Sequence, residues 1–349
     1  MKHRFHRFLA LGLILALIAT SLLGCGYKPR KSTEKEATPI FTFGDNIVNF
    51  EVLRAFFFTE CSKHAISSTD DFEKEGGAEK FRAVMADAIA DIAEVYAMLA
   101  LCRELKIDPL SEEIEEEIEE KIKLSVDGGI IGDKGVTAFG SYKKYLAYLE
   151  ETYHINDAVN RLMIRYAICE ERVADHYDSN YAYTEEDVES FFKSEDCIYV
   201  ALVHRFENTG GMGRSDNLSK MQKARNYLLA NNVRLALQQS PESSLHGYFY
   251  LSHHSLDEAY YAPLTEELFS MGVGTTSAVI DLGPEGFFVA QRLPKPASAL
   301  TEDYESLAKV YLGEVMYGRI DAIAAELLNG IVYTEFFSTL TAEDILGEA

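Results

Sequence analysis

Apolar positions along this chain recur at two spacings, and the change between them divides it. From about residue 50 to residue 193 they fall three and four apart. In "AEKFRAVMADAIADIAEVYAMLALCRELKI" the stripe runs through Phe81, Val84, Met85, Ala88, Ile89, Ile92, Val95, Tyr96, Leu99 and Cys102. That period predicts one long helix, stopped by Pro109. Ser111 then caps "SEEIEEEIEEKI", where Ile114, Ile118 and Ile122 make a narrow stripe on an acidic helix. Such a stripe suits either a coiled-coil partner face or a solvated helix lying on a core. "SYKKYLAYLEETY" and "NDAVNRLMIRYAICEERVADHY" predict two more helices. "TEEDVESFF" opens another, with Thr184 and Asp187 placed as a capping box. The glycine-rich "VDGGIIGDKG" and "TGGMGR" read as plain loops, because no Gly-Lys-Ser/Thr follows to cradle a phosphate.

The period then shortens. "CIYVALVHRF" predicts a buried strand, "NLSKMQKARNYLLANN" a helix, "HGYFYL" an extended segment and "TEELFSM" a short helix. "VGTTSAVIDLGPEGFFVAQRL" predicts two strands around a turn at Gly283–Gly286. This is an α+β unit of about 100 residues, an ordinary domain size. After "PKPA" a long helix returns, and "IVYTEFF" closes the chain as a strand candidate with no local partner. An unpaired edge is a liability. Upstream, "IFTF" and "NIV" flank Gly44-Asp45 as two short strands, and pairing with "IFTF" would satisfy the orphan. Asn49 is placed to cap the helix that follows.

The N-terminus changes the picture. "MKHRFHRF" is basic, and an apolar run, "LALGLILALIATSLLG", leads to Cys25. A basic segment, an apolar segment and small residues describe a secretory signal. Leu22-Leu23-Gly24-Cys25 looks like a bacterial lipobox, in which the cysteine is lipidated and begins the mature chain. The run of about 16 residues is shorter than the ~20 of a spanning helix. Residues 1–24 are therefore expected to be a lipoprotein signal peptide. "GYKPRKSTEKEAT", within residues 25–39, is expected to be a flexible linker. The body would sit outside the cytoplasm, tethered to the bacterial cell membrane.

Composition fits a folded body, at 47% hydrophobic and 26% charged residues. The net charge of −23 argues against nucleic acid, whose phosphates call for Lys and Arg. Besides Cys25, the cysteines are Cys61, Cys102, Cys169 and Cys197, widely spaced and set among apolar neighbours. No C-x-x-C suggests zinc or redox chemistry, and the sequence does not pair them. His246 and "His253-His254" read as loop histidines, not metal ligands, since adjacent strand residues point to opposite faces. No metal and no cofactor is expected. Ser-His-Asp hydrolase chemistry lacks its Gly-x-Ser-x-Gly turn.

Four stretches, in order, carry a family resemblance. They are "FGDNIVNFEVLRAFF", "YTEEDVESFF…CIYVALVHRF", "LTEELFSMGVGTTSAVIDLGPEGFFVAQRL", and the last long helix with "IVYTEFF". The layout resembles the extracytoplasmic parvulin-type foldases of the SurA/PrsA group, peptidyl-prolyl isomerases and chaperones. The resemblance implies a mostly helical, chaperone-like module built from residues 40–193 and 298–337. A parvulin-like α/β domain is inserted at 194–297, and 338–349 is a tail. It implies unfolded or newly secreted polypeptides as partners.

In that family two histidines and a thiol or acid form a hydrogen-bonded floor under the X–Pro amide, and an apolar shelf holds the proline ring. Twisting the amide then lowers a barrier of about 18–20 kcal/mol. His204 matches the first histidine and is the catalytic candidate. The second falls on Phe288, in "Gly286-Phe287-Phe288-Val289-Ala290", so that histidine is absent. Only Ser240 or Glu242 could replace the thiol or acid. Tyr260, Leu264 and Phe269 match the shelf, with Phe288 beside them.

Three functional classes remain open on this reading. One is a parvulin-type isomerase, favoured by His204 and opposed by Phe288. The second is a non-catalytic chaperone with a degenerate isomerase domain, favoured by an excess of aromatics such as Phe56-Phe57-Phe58. The third is a surface-binding lipoprotein with a structural or adhesive role.

Overall fold

The computed structural model describes residues 37–128, 130–132, 135–206, 213–240, 246–256, 261–283 and 286–347. The signal and lipidation readings, including Cys25, lie outside them, as do Tyr260 and Glu242. The fold is α+β, with helices and small antiparallel sheets. Tertiary contacts divide it into two compact units. One comprises residues 37–176 and 319–347, the other residues 177–318.

The first unit opens with β1 (Pro39–Phe43) and β2 (Asn46–Asn49), followed by α1 (Phe50–Lys63). Next come α2 (Gly77–Glu104), α3 (Glu112–Gly128), α4 (Tyr142–Tyr153) and α5 (Asp157–Asn180). The glycine-rich stretch expected to be a loop instead pairs β3 (Ile130–Gly132) with β4 (Gly135–Thr137), antiparallel. Asn49 stands at the start of α1, but its side chain makes no cap. The Phe50 amide is taken by the Thr38 carbonyl at 2.9 Å, because β2 runs directly into the helix. The α2 helix ends before Pro109 is reached: Lys106 adopts φ +62°, and Leu105 closes the last turn.

The acidic helix α3 lies on a core, with Ile114, Ile118 and Ile122 buried. Its glutamates meet a row of arginines on α5. Arg161 pairs with Glu119 at 2.7 Å, Arg165 with Glu115, and Arg172 with Glu113 and Glu117 at 3.0 and 3.1 Å. The aromatic excess is largely core. Phe57 and Phe58 are buried, Phe57 against Phe72 and Phe81 and Phe58 against His154. These rings do not form an exposed cradle.

The second unit holds α6 (Glu185–Lys193), whose Thr184 and Asp187 make the expected capping box. There follow β5 (Ile198–Arg205), α7 (Arg214–Leu229), β6 (Gly247–Leu251), α8 (Ala262–Ser270), β7 (Ile280–Asp281) and β8 (Phe287–Leu293). The four strands form one antiparallel sheet in the order β6-β5-β8-β7. Both faces of β5 and β8 are covered, so both strands are almost wholly buried. Gly286 enters β8 at φ +89°, and a Cβ there would lie 2.2 Å from the Arg205 carbonyl oxygen. Only glycine permits that approach.

Helix α9 (Tyr304–Asn329) returns the chain to the first unit, where β9 (Ile331–Tyr333) pairs antiparallel with β1. The orphan strand thus finds the partner expected of it, but it is shorter than expected. Thr334 turns the chain by accepting from the Phe337 amide, and Glu335–Ser338 is helical.

Candidate functional site

Strand alternation sorts the β5 residues between two cores. Ile198, Val200 and Leu202 join Phe288, Ala290, Leu264 and Leu268 on one face. Val203 joins Phe287, Val289, Met221, Ala224 and Leu228 on the other. His204 continues the first set and stands directly across from Phe288 in the register. The two rings stack at 4.2 Å, inclined by 16°. Phe206, the next residue on that face, closes edge-on over the imidazole at 4.4 Å. Both His204 and Phe288 are 0% exposed.

The sheet therefore brings the candidate catalytic histidine and the position of its absent partner side by side. Leu264 is buried in the same cluster, and Phe269 packs at its margin with the His253 ring stacked on it at 3.7 Å. Tyr261 meets Phe288 edge-on at 5.6 Å. Sequence reasoning missed Tyr261 and Phe206. The second had a signal, since it follows His204 by the two residues that return a strand to the same face. Ser240, one candidate for the missing thiol or acid, is buried and donates its hydroxyl to the backbone carbonyl of His204. That hydroxyl buttresses the strand. Its neighbour Arg205 is held by Asn217 and, at 2.8 Å, by the Gln239 carbonyl.

Chemically, the arrangement is a closed aromatic stack over an aliphatic floor. It can hold an apolar ring if Phe206 and Tyr261 move aside. No solvent reaches the His204 ring, so proton exchange with water requires the same opening. Of the other histidines, His254 lies 3.9 Å from Glu314, an acid the sequence did not place there, and stacks on Tyr317. Burial holds His246 below the ordinary histidine range.

No family model and no curated protein matches the chain. Solved structures similar to it include two PrsA structures. PrsA from Bacillus subtilis is 14% identical, with 72% of this chain and 87% of that one covered and a TM-score of 0.28. Foldase protein PrsA from Streptococcus pneumoniae str. Canada MDR_19A is 13% identical, with 73% and 85% covered and a TM-score of 0.28. A likeness of that size carries no argument about this chain. Among the described residues no helix is long and apolar enough to cross a membrane.

Proposed function

We propose that this chain is a membrane-tethered, extracytoplasmic folding factor that binds unfolded polypeptides. Its sheet unit holds proline-bearing segments without isomerising them quickly. The observation that carries this reading is the His204–Phe288 stack. A hydrogen-bonded floor for a twisted amide needs two polar groups, and here one of the two positions is an aromatic ring. Binding a proline ring asks less: an apolar concave surface suffices. Leu264, Phe269 and Phe288 are the residues proposed to line it, with Tyr260 proposed from the sequence alone. Support for the wider reading comes from the order of the four sequence stretches and from the lipobox-like Leu22-Leu23-Gly24-Cys25.

The test is proline-limited refolding of a reporter protein run beside suppression of its aggregation. Wild-type protein should suppress aggregation and accelerate refolding little. Phe288→His should raise the isomerisation rate, and His204→Ala should remove whatever rate exists while aggregation suppression persists. Robust isomerase activity that survives His204→Ala would overturn the site. Separately, Cys25→Ala should release the chain from membranes, and an intact Met1 terminus on the membrane-bound protein would refute the anchor.

A further inference from the structure

The last turn of α1 faces α2 through a compact polar cluster. Glu60 and His64 stand one helical turn apart, as do Asp87 and Asp91 opposite them. His64 Nε2 lies 2.7 Å from Asp87 Oδ2. One donor atom each from Glu60, His64 and Asp87 can be chosen so that all lie within 4.8 Å of one another. Lys63 Nζ stands 3.1 Å from Asp91 Oδ2 and touches Glu60 as well.

An ordinary surface ion pair does not account for Glu60. Its side chain is only 3% exposed, and it shares its buried place with a second acid, Asp91, the Lys63 ammonium touching both. Burying a carboxylate beside other acids is costly unless a cation is close. Two more acids and an imidazole converge on the same point. Lys63 is the cation now beside it, on a flexible stem that is 36% exposed.

We propose that Glu60, His64 and Asp87 form a binding site for a divalent cation of the zinc class. One imidazole nitrogen with carboxylate oxygens is a donor set for zinc and its neighbours, where calcium and magnesium take oxygen alone. Ligands about 2.0–2.2 Å from zinc in a tetrahedron lie about 3.3 Å apart. Binding would draw the donor atoms, now within 4.8 Å of one another, in to that value by side-chain rotation. His64 and Asp87, 32% and 52% exposed, form the rim by which an ion enters. Lys63 swings outward along Asp91 as it does so. Water or Asp91 takes the fourth position, and the ion ties the end of α1 to α2.

The experiment is calorimetric titration of zinc chloride into the full chain in detergent, with circular dichroism to confirm the fold of each variant. One ion should bind per chain. His64→Ala and Asp87→Ala, both at exposed positions, should each weaken binding at least about tenfold, the loss that even an outer partner of a ligand can cause. Lys63→Gln should tighten it, because the competing ammonium is gone. A plain ion-pair network predicts the reverse pattern for Lys63→Gln, with lower stability and no gain in binding. The proposal is overturned if wild-type protein binds no zinc, if only Lys63→Gln binds it, or if binding is unchanged in both alanine variants.

Discussion

Each of the two units buries a histidine, and they keep it in opposite ways. In the helical unit His154 is the left-handed closing residue of α4, at φ +56°. Arg54 stands 2.8 Å from its Nδ1 and donates at 3.1 Å to Glu150. Phe58 covers the ring edge-on at 4.3 Å. In the sheet unit His204 lies between two phenylalanines, face to face with one and edge-on to the other. The helical unit thus tolerates buried polar groups by linking distant side chains into a network. The sheet unit packs its histidine ring into a stack of aromatic plates. What each loses on mutation should differ in kind.

The largest effect is expected at the aromatic plate. Phe288→Ala should cost about 4 kcal/mol, as removal of a fully buried phenylalanine does. The loss should appear in hydrogen exchange across β5 and β8 and leave α1 and α4 protected. Arg54→Ala should cost about 3 kcal/mol, because it strips the charge partner from Glu150 and the donor from His154. Urea unfolding followed by exchange should place this loss in the helical unit. Equal loss in both units from either variant would break the contrast.

Acid sharpens it further. Burial, and secondarily the Arg54 charge, lower the His154 pKa from the ordinary histidine value near 6.5 to about 3. The folded state therefore binds fewer protons than the unfolded chain in that window. The stabilisation is complete above 6.5 and is lost as pH falls toward 3, with a slope of up to about 1.4 kcal/mol per pH unit. His154→Asn, which suits the left-handed backbone, should flatten this acid limb. The smallest effect belongs to the capping box. Thr184→Ala should cost about 1 kcal/mol, confined to the sheet unit and read as a small shift of its urea midpoint.

Local signals in the sequence were read well where a pattern repeats over few residues. The short continuous apolar run of "CIYVALVHRF" and the Thr184/Asp187 spacing both describe what forms. The orphan character of "IVYTEFF" pointed to β1 because an open edge demands a partner, although Thr334 ends the strand early. Nothing local announces the Arg54–Glu150–His154 network, whose members lie 96 and 100 residues apart. The same holds for the arginines of α5 facing the glutamates of α3, which looked like solvated charge. Phe57 and Phe58 looked surplus because their partners Phe72, Phe81 and His154 come from other elements. At the candidate site the sequence placed Phe288 against His204 by motif. It could not say that the rings would stack and shut out water.

The pairing of β1 with β9 also sets a timetable. A chain that emerges from its N-terminus presents the β1–β2 hairpin first, with one edge of β1 bare. Its complement does not appear until residues 331–333 have followed. Closing so long a loop adds little to the equilibrium cost, since that cost grows only with the logarithm of length. It does delay completion, because distant pairings form late. Until then the helical unit is missing a strand, and an unpaired β1 is open to any extended segment that reaches it.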